Sequence, residues 1–332
     1  MGARGTTFTL IGLLALAAPS PCQLQAQDVL VRARVSERLP AYQPRVLVRG
    51  AVAIPSTDAL TDLGDEWNKG FHKFHPEGSL AFLSRESSEA VKDLLAGMAP
   101  LVILSRELTP EEKTAFQDRF GYRPMRFPVC LDATVVFVNK ANPITAISME
   151  QLDAVYSRTR KGGAPGPALV WGDLGVKGDL AQRIIHAYAL PEGSAARAAF
   201  AATALLKGSY RAGILEREDA LALADAVSSD VAGIAFGPMA SWFATTRTLP
   251  VAPFHGSEAL YPTQERVTAG KYPMPGIFYG YLNRAPGRPM DPAVNEALHF
   301  ILAQEGQAIV ADVGLLPGPA EQMNIFGEFK LY

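Results

Sequence analysis

Short apolar runs alternate along this chain with amphipathic stretches. In two of these stretches apolar residues recur at spacings of three and four, which predicts helices with one buried face. They are Leu60, Leu63, Trp67 and Phe71 in the first stretch, and Val294, Leu298, Ile301 and Leu302 in the second. Four compact apolar runs predict buried strands at 101–104, 133–138, 168–171 and 277–282. This alternation predicts βα units, a largely parallel sheet and an α/β fold.

Two further helices are indicated by their first residues. Thr109-Pro110-Glu111-Glu112 is a capping box with proline at the first helical position, and Gly121 is placed to end that helix. Ser148-Met149-Glu150-Gln151 is a second capping box. Both patterns predict where a helix begins, independently of its apolar face.

The first residues have the pattern of an export signal. Arg4 precedes an apolar run at 8–18, and Ala26 is a small residue before a plausible cleavage position. The run is shorter than the roughly 20 residues that a membrane span needs. We therefore predict a signal peptide over 1–26 and a periplasmic or secreted protein. The alternatives are a buried N-terminal helix and a lipoprotein anchored at Cys22, although Pro19-Ser20-Pro21 is a poor approach to a lipidated cysteine.

Composition narrows the class of protein. Removal of 26 residues from 332 leaves 306, with an apolar share of 48% and a charged share of 19% over the whole chain, which is long and apolar enough for two lobes. The formal net charge of −2 does not favour nucleic acid or an anionic membrane as a partner. Without Cys22, Cys130 has no partner for a disulfide, and its apolar surroundings predict a buried thiol.

Signatures of enzymes are absent from the sequence. It contains no G-x-S-x-G, no S-x-x-K and no phosphate-binding Walker loop. His72 and His75 form an H-x-x-H pair without further metal ligands at a known spacing, so we interpret them as solvated surface histidines. We predict no catalytic residues, no metal and no cofactor.

Polar clusters follow several of the predicted strands. Ser56-Thr57-Asp58, 84–88 and Glu192-Gly193-Ser194 each precede a predicted helix, and Ser105-Arg106 directly follows a strand. Free backbone N–H groups and the helix dipole make such positions suitable for anions. Serine and threonine are also ordinary N-caps, so capping is the alternative at every one of these sites.

From about residue 47 to residue 317 the chain resembles the phosphate-binding, PstS-like proteins of bacterial ABC transporters. The matching segments are Ser105-Arg106-Glu107-Leu108 with the acidic helix that ends at Tyr122, 138–143 (VNKANP), 151–157 (QLDAVYS), 171–175 (WGDLG), 270–273 (GKYP), and 305–307 (EGQ) with Gly314 and Pro317. The resemblance implies a class II periplasmic binding protein fold, with two α/β lobes joined by two crossover strands. Lobe one would comprise 28–129 plus 250–332 and lobe two 130–249, with crossovers near 132–138 and 248–253.

The resemblance also implies an anion site in a cleft between the lobes. Its ligand-binding residues would be Thr57, Asp58, Ser87, Ser88, Ser105, Arg106 and Ser194. Three of the four loops depart from the family pattern. G-S-D-T-L is S-T-D-A-L at 56–60, G-S-S-T is E-S-S-E at 86–89, and R-x-x-x-S-G-T has Leu190, Ala195 and Ala196 in place of arginine, glycine and threonine.

These departures predict weaker phosphate binding. A bidentate arginine–phosphate pair contributes roughly 1.5–3 kcal/mol. A carboxylate about 5 Å from the anion costs on the order of 3 kcal/mol. Losing the arginine and adding one or two such carboxylates should together weaken binding by about a thousandfold or more. The alternative is that Glu86 and Glu89 point away from the ligand, since acids also suit the first turn of a helix. Arg197 is a nearby arginine that nothing in the sequence assigns to the site.

The predicted function is therefore an exported, monomeric solute-binding protein that takes phosphate or another small ligand. Its expected partners are that ligand and an ABC transporter permease, with no nucleic acid. The alternative is a binding-protein fold that has lost its solute and acts as an interaction or sensory module. An enzyme, such as a phosphatase that uses the cleft, is a third hypothesis without sequence support.

Overall fold

The structure is a computed structural model that describes residues 33–239 and 245–323. The predicted signal peptide, its cleavage position and Cys22 lie outside these residues. Within them, no helix combines the length and apolar character that crossing a membrane requires.

The chain alternates strands and helices, as the sequence pattern predicts. The strands are β1 (Gly50–Ser56), β2 (Gly78–Ser84), β3 (Leu101–Leu104), β4 (Met125–Asn139), β5 (Ile147–Ser148), β6 (His186–Ala189), β7 (Leu215–Glu216), β8 (Gly233–Pro238), β9 (Thr246–Leu249), β10 (Val251–Ala252), β11 (Pro275–Leu282) and β12 (Leu316–Pro317). The α-helices are α1 (Thr61–His72), α2 (Ser87–Ala96), α3 (Pro110–Phe120), α4 (Met149–Tyr156), α5 (Ala195–Thr203), α6 (Ala220–Ser228), α7 (Gln264–Thr268), α8 (Pro292–Leu302), α9 (Gln304–Asp312) and α10 (Ala320–Met323). Short 3₁₀ helices lie at Asp58–Leu60, Trp171–Leu174 and Asp179–Gln182.

The main sheet has the strand order β2-β1-β3-β11-β4-β8-β6-β7, and β9 and β12 also pair with β4. β1 is parallel to β2 and β3, and β6 is parallel to β7 and β8. β11 is antiparallel to both β3 and β4, and β8 is antiparallel to β4. The sheet is therefore mixed: two parallel groups are separated by antiparallel strands.

β4 joins these two groups. Over its first half this 15-residue strand pairs with β11 and β12, and over its second half with β8 and β9. We call β1, β2, β3, β11, β12 and the first half of β4 the first sheet part. The second sheet part consists of β6, β7, β8, β9 and the second half of β4. A single extended strand thus belongs to both parts.

Each sheet part has its own apolar packing. In the first part α1, α8 and β1 enclose a core that includes Ile54, Trp67 and Phe300, all fully buried. In the second part Phe200 of α5 stacks on Phe236 of β8, with ring centroids 3.7 Å apart. Separate cores on the two halves of one strand match the prediction of a two-lobed chain.

Most of the predicted elements are confirmed. α1, α3, α4 and α8 lie where the apolar spacing and the capping boxes predict them. Both capping boxes form reciprocally, through Thr109 with Glu112 and through Ser148 with Gln151. Cys130 is a buried free thiol, and burial raises its pKa.

The strand predicted at 168–171 is wrong. This segment is a loop that leads into the 3₁₀ helix at Trp171–Leu174. The Asp173 carboxylate accepts hydrogen bonds from the N–H groups of Leu169 and Val170, at 2.8 and 3.0 Å. On its other side the segment makes only an isolated antiparallel bridge, between Val170 and Ile184. The apolar residues of this segment include Trp171, whose ring is fully buried. Its indole N–H donates to the Ala232 carbonyl at 3.1 Å.

The interpretation of His75 as a surface residue is also wrong. α1 ends at His72, so His75 lies beyond the helix, where its ring packs at 4.2 Å from the Phe71 ring and is fully buried. The Val48 N–H donates to Nδ1 at 3.1 Å, and Nε2 lies 2.6 Å from the Tyr42 hydroxyl. His72 is exposed, as predicted.

Candidate anion-binding site

Three of the predicted ligand loops lie at one edge of the first sheet part. Thr57 and Asp58 follow β1, Ser87 and Ser88 lie just beyond β2, and Ser105 follows β3. β1 lies between β2 and β3 and is parallel to both. Because parallel strands end at the same edge, their loops are neighbours, and ligands of α/β sheets bind at this edge.

In the first loop the hydroxyl of Thr57 acts as a cap. It accepts a hydrogen bond from the Ala59 N–H at 3.1 Å and lies 3.2 Å from the Asp58 carboxylate. Thr57 is buried and Asp58 is exposed. This arrangement fits the capping alternative for Thr57, because its oxygen already satisfies a first-turn donor.

The second and third loops meet. Ser87 Oγ lies 3.4 Å from Ser105 Oγ, although the residues are 18 positions apart. The N-cap of α2 is Glu86, whose side chain makes no capping hydrogen bond. Ser88, in the first turn, is exposed. The start of α2 therefore combines N–H groups that lack a side-chain cap with two hydroxyls, as an anion site requires.

Arg106 is held by Glu112. Its Nη1 and Nη2 donate to the two carboxylate oxygens of Glu112 at 2.7 and 2.8 Å, and Nη1 also donates to the Glu107 carbonyl at 2.9 Å. Hydrogen bonds from Arg106 lower the pKa of the Glu112 carboxyl. Since a guanidinium carries five N–H donors, this pairing leaves two of them for a ligand.

Ser194 lies in the second sheet part, in the loop between β6 and α5. Its hydroxyl accepts from the Arg197 N–H at 3.4 Å and caps α5. The Arg197 guanidinium donates to the Leu190 carbonyl at 3.3 Å and pairs with Glu216 of β7. It also lies over the Tyr210 ring, 4.6 Å from the centroid. The arginine that sequence reasoning leaves unassigned thus reaches the backbone of residue 190.

The acids that replace family glycine and threonine lie at the start of α2. Glu86 and Glu89 are both exposed. Acidic residues in a first turn also interact favourably with the helix dipole. Whether their carboxylates repel a bound anion stays a prediction.

The strand registers show how the loops of the first sheet part lie relative to those of the second sheet part. β3 ends at Leu104, which pairs with Tyr279 of β11, and Tyr279 pairs with Pro128 of β4. From the other side β8 ends at Pro238, which pairs with Thr134 of β4. The carboxyl ends of both parallel groups therefore point toward the same short segment of β4, between residues 128 and 134.

Asp132 lies in this segment. Its Oδ1 accepts from the N–H groups of Ala133 and Met239, at 2.7 and 3.0 Å, and so ties β4 to the chain that follows β8. Sequence reasoning missed this role because Met239 is 107 residues away. The described residues include no group of three or more His, Cys, Asp or Glu side chains arranged to hold a metal ion.

Comparison with known proteins gives the family. Residues 37–305 match the model of a PBP superfamily domain. The chain is 31% identical over 289 residues to the phosphate-binding protein PstS of Pseudomonas aeruginosa, which covers 87% of this chain and 90% of that protein. The chain belongs to the PBP superfamily, among the PstS-like proteins.

Solved structures of this superfamily share the fold. A possible phosphate binding protein from Planctomyces limnophilus superposes with a TM-score of 0.66 at 18% identity, over 85% of this chain and 97% of that one. An ABC-type phosphate transport receptor from Vibrio cholerae superposes with a TM-score of 0.63 at 17% identity, over 80% and 99%. The fold is therefore that of a class II periplasmic binding protein, with two α/β lobes joined by crossover strands, as predicted.

Proposed function

We propose that this protein is an exported solute-binding protein that takes phosphate in the cleft between its two sheet parts. The observation that supports this most is the meeting of Ser87 and Ser105, whose hydroxyls lie 3.4 Å apart beside the start of α2. A tetrahedral anion at this position would accept from both hydroxyls and from first-turn N–H groups. The relatives named phosphate-binding proteins make phosphate the first ligand to test.

We call the loops that follow β1, β2 and β3 the first wall of the proposed site. Arg106 and Ser88 belong to this wall. Glu112 fixes the Arg106 guanidinium through two hydrogen bonds, so little side-chain entropy is lost when its remaining donors bind an oxyanion. Ser194 would approach from the second sheet part. Thr57 and Asp58, which follow β1, would line the same wall. Hydroxyls, backbone N–H groups and a fixed guanidinium are the donors that bind and orient an oxyanion.

The boundaries and location of the protein are part of the same proposal. Lobe one would comprise 28–129 plus 250–332, lobe two 130–249, and the signal peptide would be removed near Ala26. The mature protein would be a periplasmic monomer that delivers its solute to an ABC transporter permease. The relation to an ABC-type phosphate transport receptor supports a transport role.

Thermal-shift and calorimetric titrations of the purified protein test the proposal. We expect phosphate to raise the melting temperature and to bind with measurable heat, and sulfate and small organic acids to have weaker effects. A protein that phosphate, sulfate and other oxyanions neither stabilise nor bind at millimolar concentration would contradict the proposal. That result would favour the alternative, an interaction or sensory module with the same fold.

A further inference from the structure

The main sheet ends in two outer strands, β2 and β7, which differ in the length of edge that they expose. β7 comprises only Leu215–Glu216 and is followed by the charged residues Arg217 and Glu218. β2 is seven residues long, contains neither charge nor proline, and pairs with β1 in one uninterrupted register. An outer strand of this kind can add a strand of another chain. β2 is therefore the edge at which this fold could self-associate.

The hydrogen bonds at the two ends of β2 fix which of its backbone groups point away from β1. The Gly50 N–H donates to the Glu77 carbonyl at 2.8 Å, and the Arg85 N–H donates to the Ser56 carbonyl at 2.7 Å. Backbone groups of successive residues in a ladder alternate between the two sides of the strand, so odd-numbered residues of β2 bond to β1. The outward groups belong to the even-numbered residues, Gly78, Leu80, Phe82 and Ser84.

Two side chains of α1 bind the first of these outward groups. The side-chain oxygen of Asn68 accepts a hydrogen bond from the Leu80 N–H at 2.8 Å. His72 Nδ1 donates to the Gly78 carbonyl at 3.2 Å. A donor and an acceptor that a neighbouring strand would need are therefore already used within the chain.

The spacing of these two side chains matches the strand. They lie four residues apart on α1, a rise of about 6 Å, and they meet residues two apart on β2, about 6.6 Å of strand. α1 runs antiparallel to β2, so the later side chain, His72, meets the earlier residue, Gly78. The Trp67 ring stacks on the Phe82 ring with centroids 5.5 Å apart, which holds the helix over the strand.

The second half of β2 is left open. The N–H groups of Phe82 and Ser84 have no hydrogen-bond partner in the part of the chain that the structure describes. The side chain of Leu83 is 39% exposed beside them. A strand from another chain would find free backbone groups only over this half, which is shorter than an ordinary strand of about 5–6 residues.

The two contacts are not needed to satisfy the backbone. At the outer edge of a sheet, water can bind the Leu80 N–H and the Gly78 carbonyl almost as well as a side chain does. Asparagine is also a poorer residue than alanine within a helix, so Asn68 has a cost in α1. What a side chain does here and water does not is to exclude a second strand.

We propose that Asn68 and His72 keep the protein monomeric by blocking the pairing of β2 with β2 of a second copy. With both side chains present, two copies can pair only through the open half of the strand. Without them the outward groups from Gly78 to Ser84 become one continuous edge, which can pair antiparallel with the same edge of another copy. This inference deepens the monomer of the proposed function and does not depend on the ligand.

Light scattering of the purified protein over a series of concentrations tests the proposal on wild type and on Asn68→Ala/His72→Ala. We expect a monomeric wild type. The double variant should self-associate about tenfold or more tightly, because a donor and an acceptor are freed on each copy. Backbone hydrogen exchange gives the place of contact: the N–H groups of Phe82 and Ser84 should exchange more slowly in the associated form.

Three further variants make the result specific. Glu66→Ala/Lys69→Ala removes an exposed ion pair from the same helix and should leave the protein monomeric. Asn68→Asp keeps an acceptor for the Leu80 N–H and should also remain monomeric. Adding Leu83→Lys to the double variant should restore the monomer, because a charge on an outer strand opposes strand addition. Circular dichroism melts establish that each variant is folded.

The outcomes separate this inference from the proposed function. A double variant that stays monomeric at every concentration overturns the inference alone, and so does association that Leu83→Lys does not reverse. A wild type that already pairs through β2 overturns both the inference and the proposed monomer. Phosphate binding is measured separately, so its absence affects neither result. If the double variant does not fold, the comparison of Asn68→Ala with Asn68→Asp decides, because only Asn68→Ala frees the Leu80 N–H.

Discussion

Arg106 and Arg197 lie on opposite sheet parts, and each is paired with a glutamate, but the pairs are built differently. Arg106 is 37% exposed, and Glu112 binds it through both carboxylate oxygens. Glu112 is the more buried partner, at 20% exposure. Arg197 is 10% exposed, and its partner Glu216 is 46% exposed. The buried member is the carboxylate in the first pair and the guanidinium in the second.

The difference separates a pair that is tied to a helix end from one that is not. Glu112 also accepts from the Thr109 N–H at 2.8 Å and is part of the capping box of α3, so it cannot leave Arg106 without opening a helix end. Glu216 lies on the short edge strand β7 and caps no helix. We therefore regard Glu112 as a residue that positions Arg106 for a ligand, and the Arg197–Glu216 pair as one that joins α5 to β7.

The largest expected effect comes from removing the Arg106 guanidinium. In Arg106→Gln we expect phosphate affinity to fall by about ten- to a hundredfold, since a charged contact contributes roughly 1.5–3 kcal/mol. Competition binding with labelled phosphate measures the loss. The control Arg49→Gln removes the arginine of an exposed pair and should bind like wild type. An Arg106→Gln variant that binds phosphate as tightly as wild type would contradict this role of Arg106.

The next largest effect is on protein stability, which we expect Glu112→Gln and Glu216→Gln to lower by different amounts. Glu112→Gln weakens the capping box and a bidentate pair, and we expect a loss of about 1 kcal/mol in the free energy of unfolding. Glu216→Gln should cost a few tenths of a kcal/mol, since half-exposed ion pairs contribute little. Urea denaturation of both variants measures the difference. Equal losses would show that the two pairs play the same structural part.

Acid should destabilise the first sheet part. Burial lowers the pKa of His75, and burial with the nearby Arg45 charge lowers the pKa of His299 to about 4, from an ordinary value of 6.5. Both groups are therefore neutral in the folded protein at pH values where the unfolded chain is protonated. Their contribution to stability is complete above pH 6.5 and is lost as pH falls toward the folded values.

The contacts of His75 explain why protonation of its ring destabilises the folded protein. The Val48 N–H donates to Nδ1, so the neutral ring carries its proton on Nε2 and donates to the Tyr42 hydroxyl, which donates to Glu296 at 2.8 Å. A second proton on Nδ1 would face the Val48 N–H. We expect about 1 kcal/mol less stability at pH 5 than at pH 7.5. Urea denaturation of His299→Gln should show a smaller pH dependence; an unchanged one would contradict this assignment.

The smallest expected effect concerns the acids at the start of α2. Glu86→Gln/Glu89→Gln should raise phosphate affinity by a few-fold, because exposed charges are screened by solvent and salt. Calorimetry at two salt concentrations measures it, and the gain should shrink at the higher one. A gain of a hundredfold or more, unaffected by salt, would instead mean that both carboxylates face the bound anion at close range.

Much of the fold was predictable because the motif residues bind backbone. The Asn142 side chain donates to the Val231 carbonyl at 2.9 Å, and the Gln307 side chain donates to the Val129 carbonyl at 3.1 Å. Trp171 does the same with Ala232. In this chain such residues tie segments that are far apart in sequence to one another, which is why the motifs that contain them were informative about the fold.

The site was less predictable because its contacts are not local. Ser87 meets Ser105 only through the pairing of β1 with β2 and β3, and Arg197 meets Glu216 only because β7 lies beside β6. The strand predicted at 168–171 failed for a local reason, since the Asp173 carboxylate accepts from the N–H groups of Leu169 and Val170 and a 3₁₀ helix begins at Trp171.

A crystal structure of the protein grown with inorganic phosphate tests the proposed site most directly. We expect tetrahedral density between Ser105 and Ser194, in contact with the hydroxyls of Ser87 and Ser105. A guanidinium nitrogen of Arg106 should lie at about 2.8 Å from a phosphate oxygen, a normal charge-assisted distance. Phosphate bound elsewhere, with the Ser87 and Ser105 hydroxyls free of it, would contradict the proposed site.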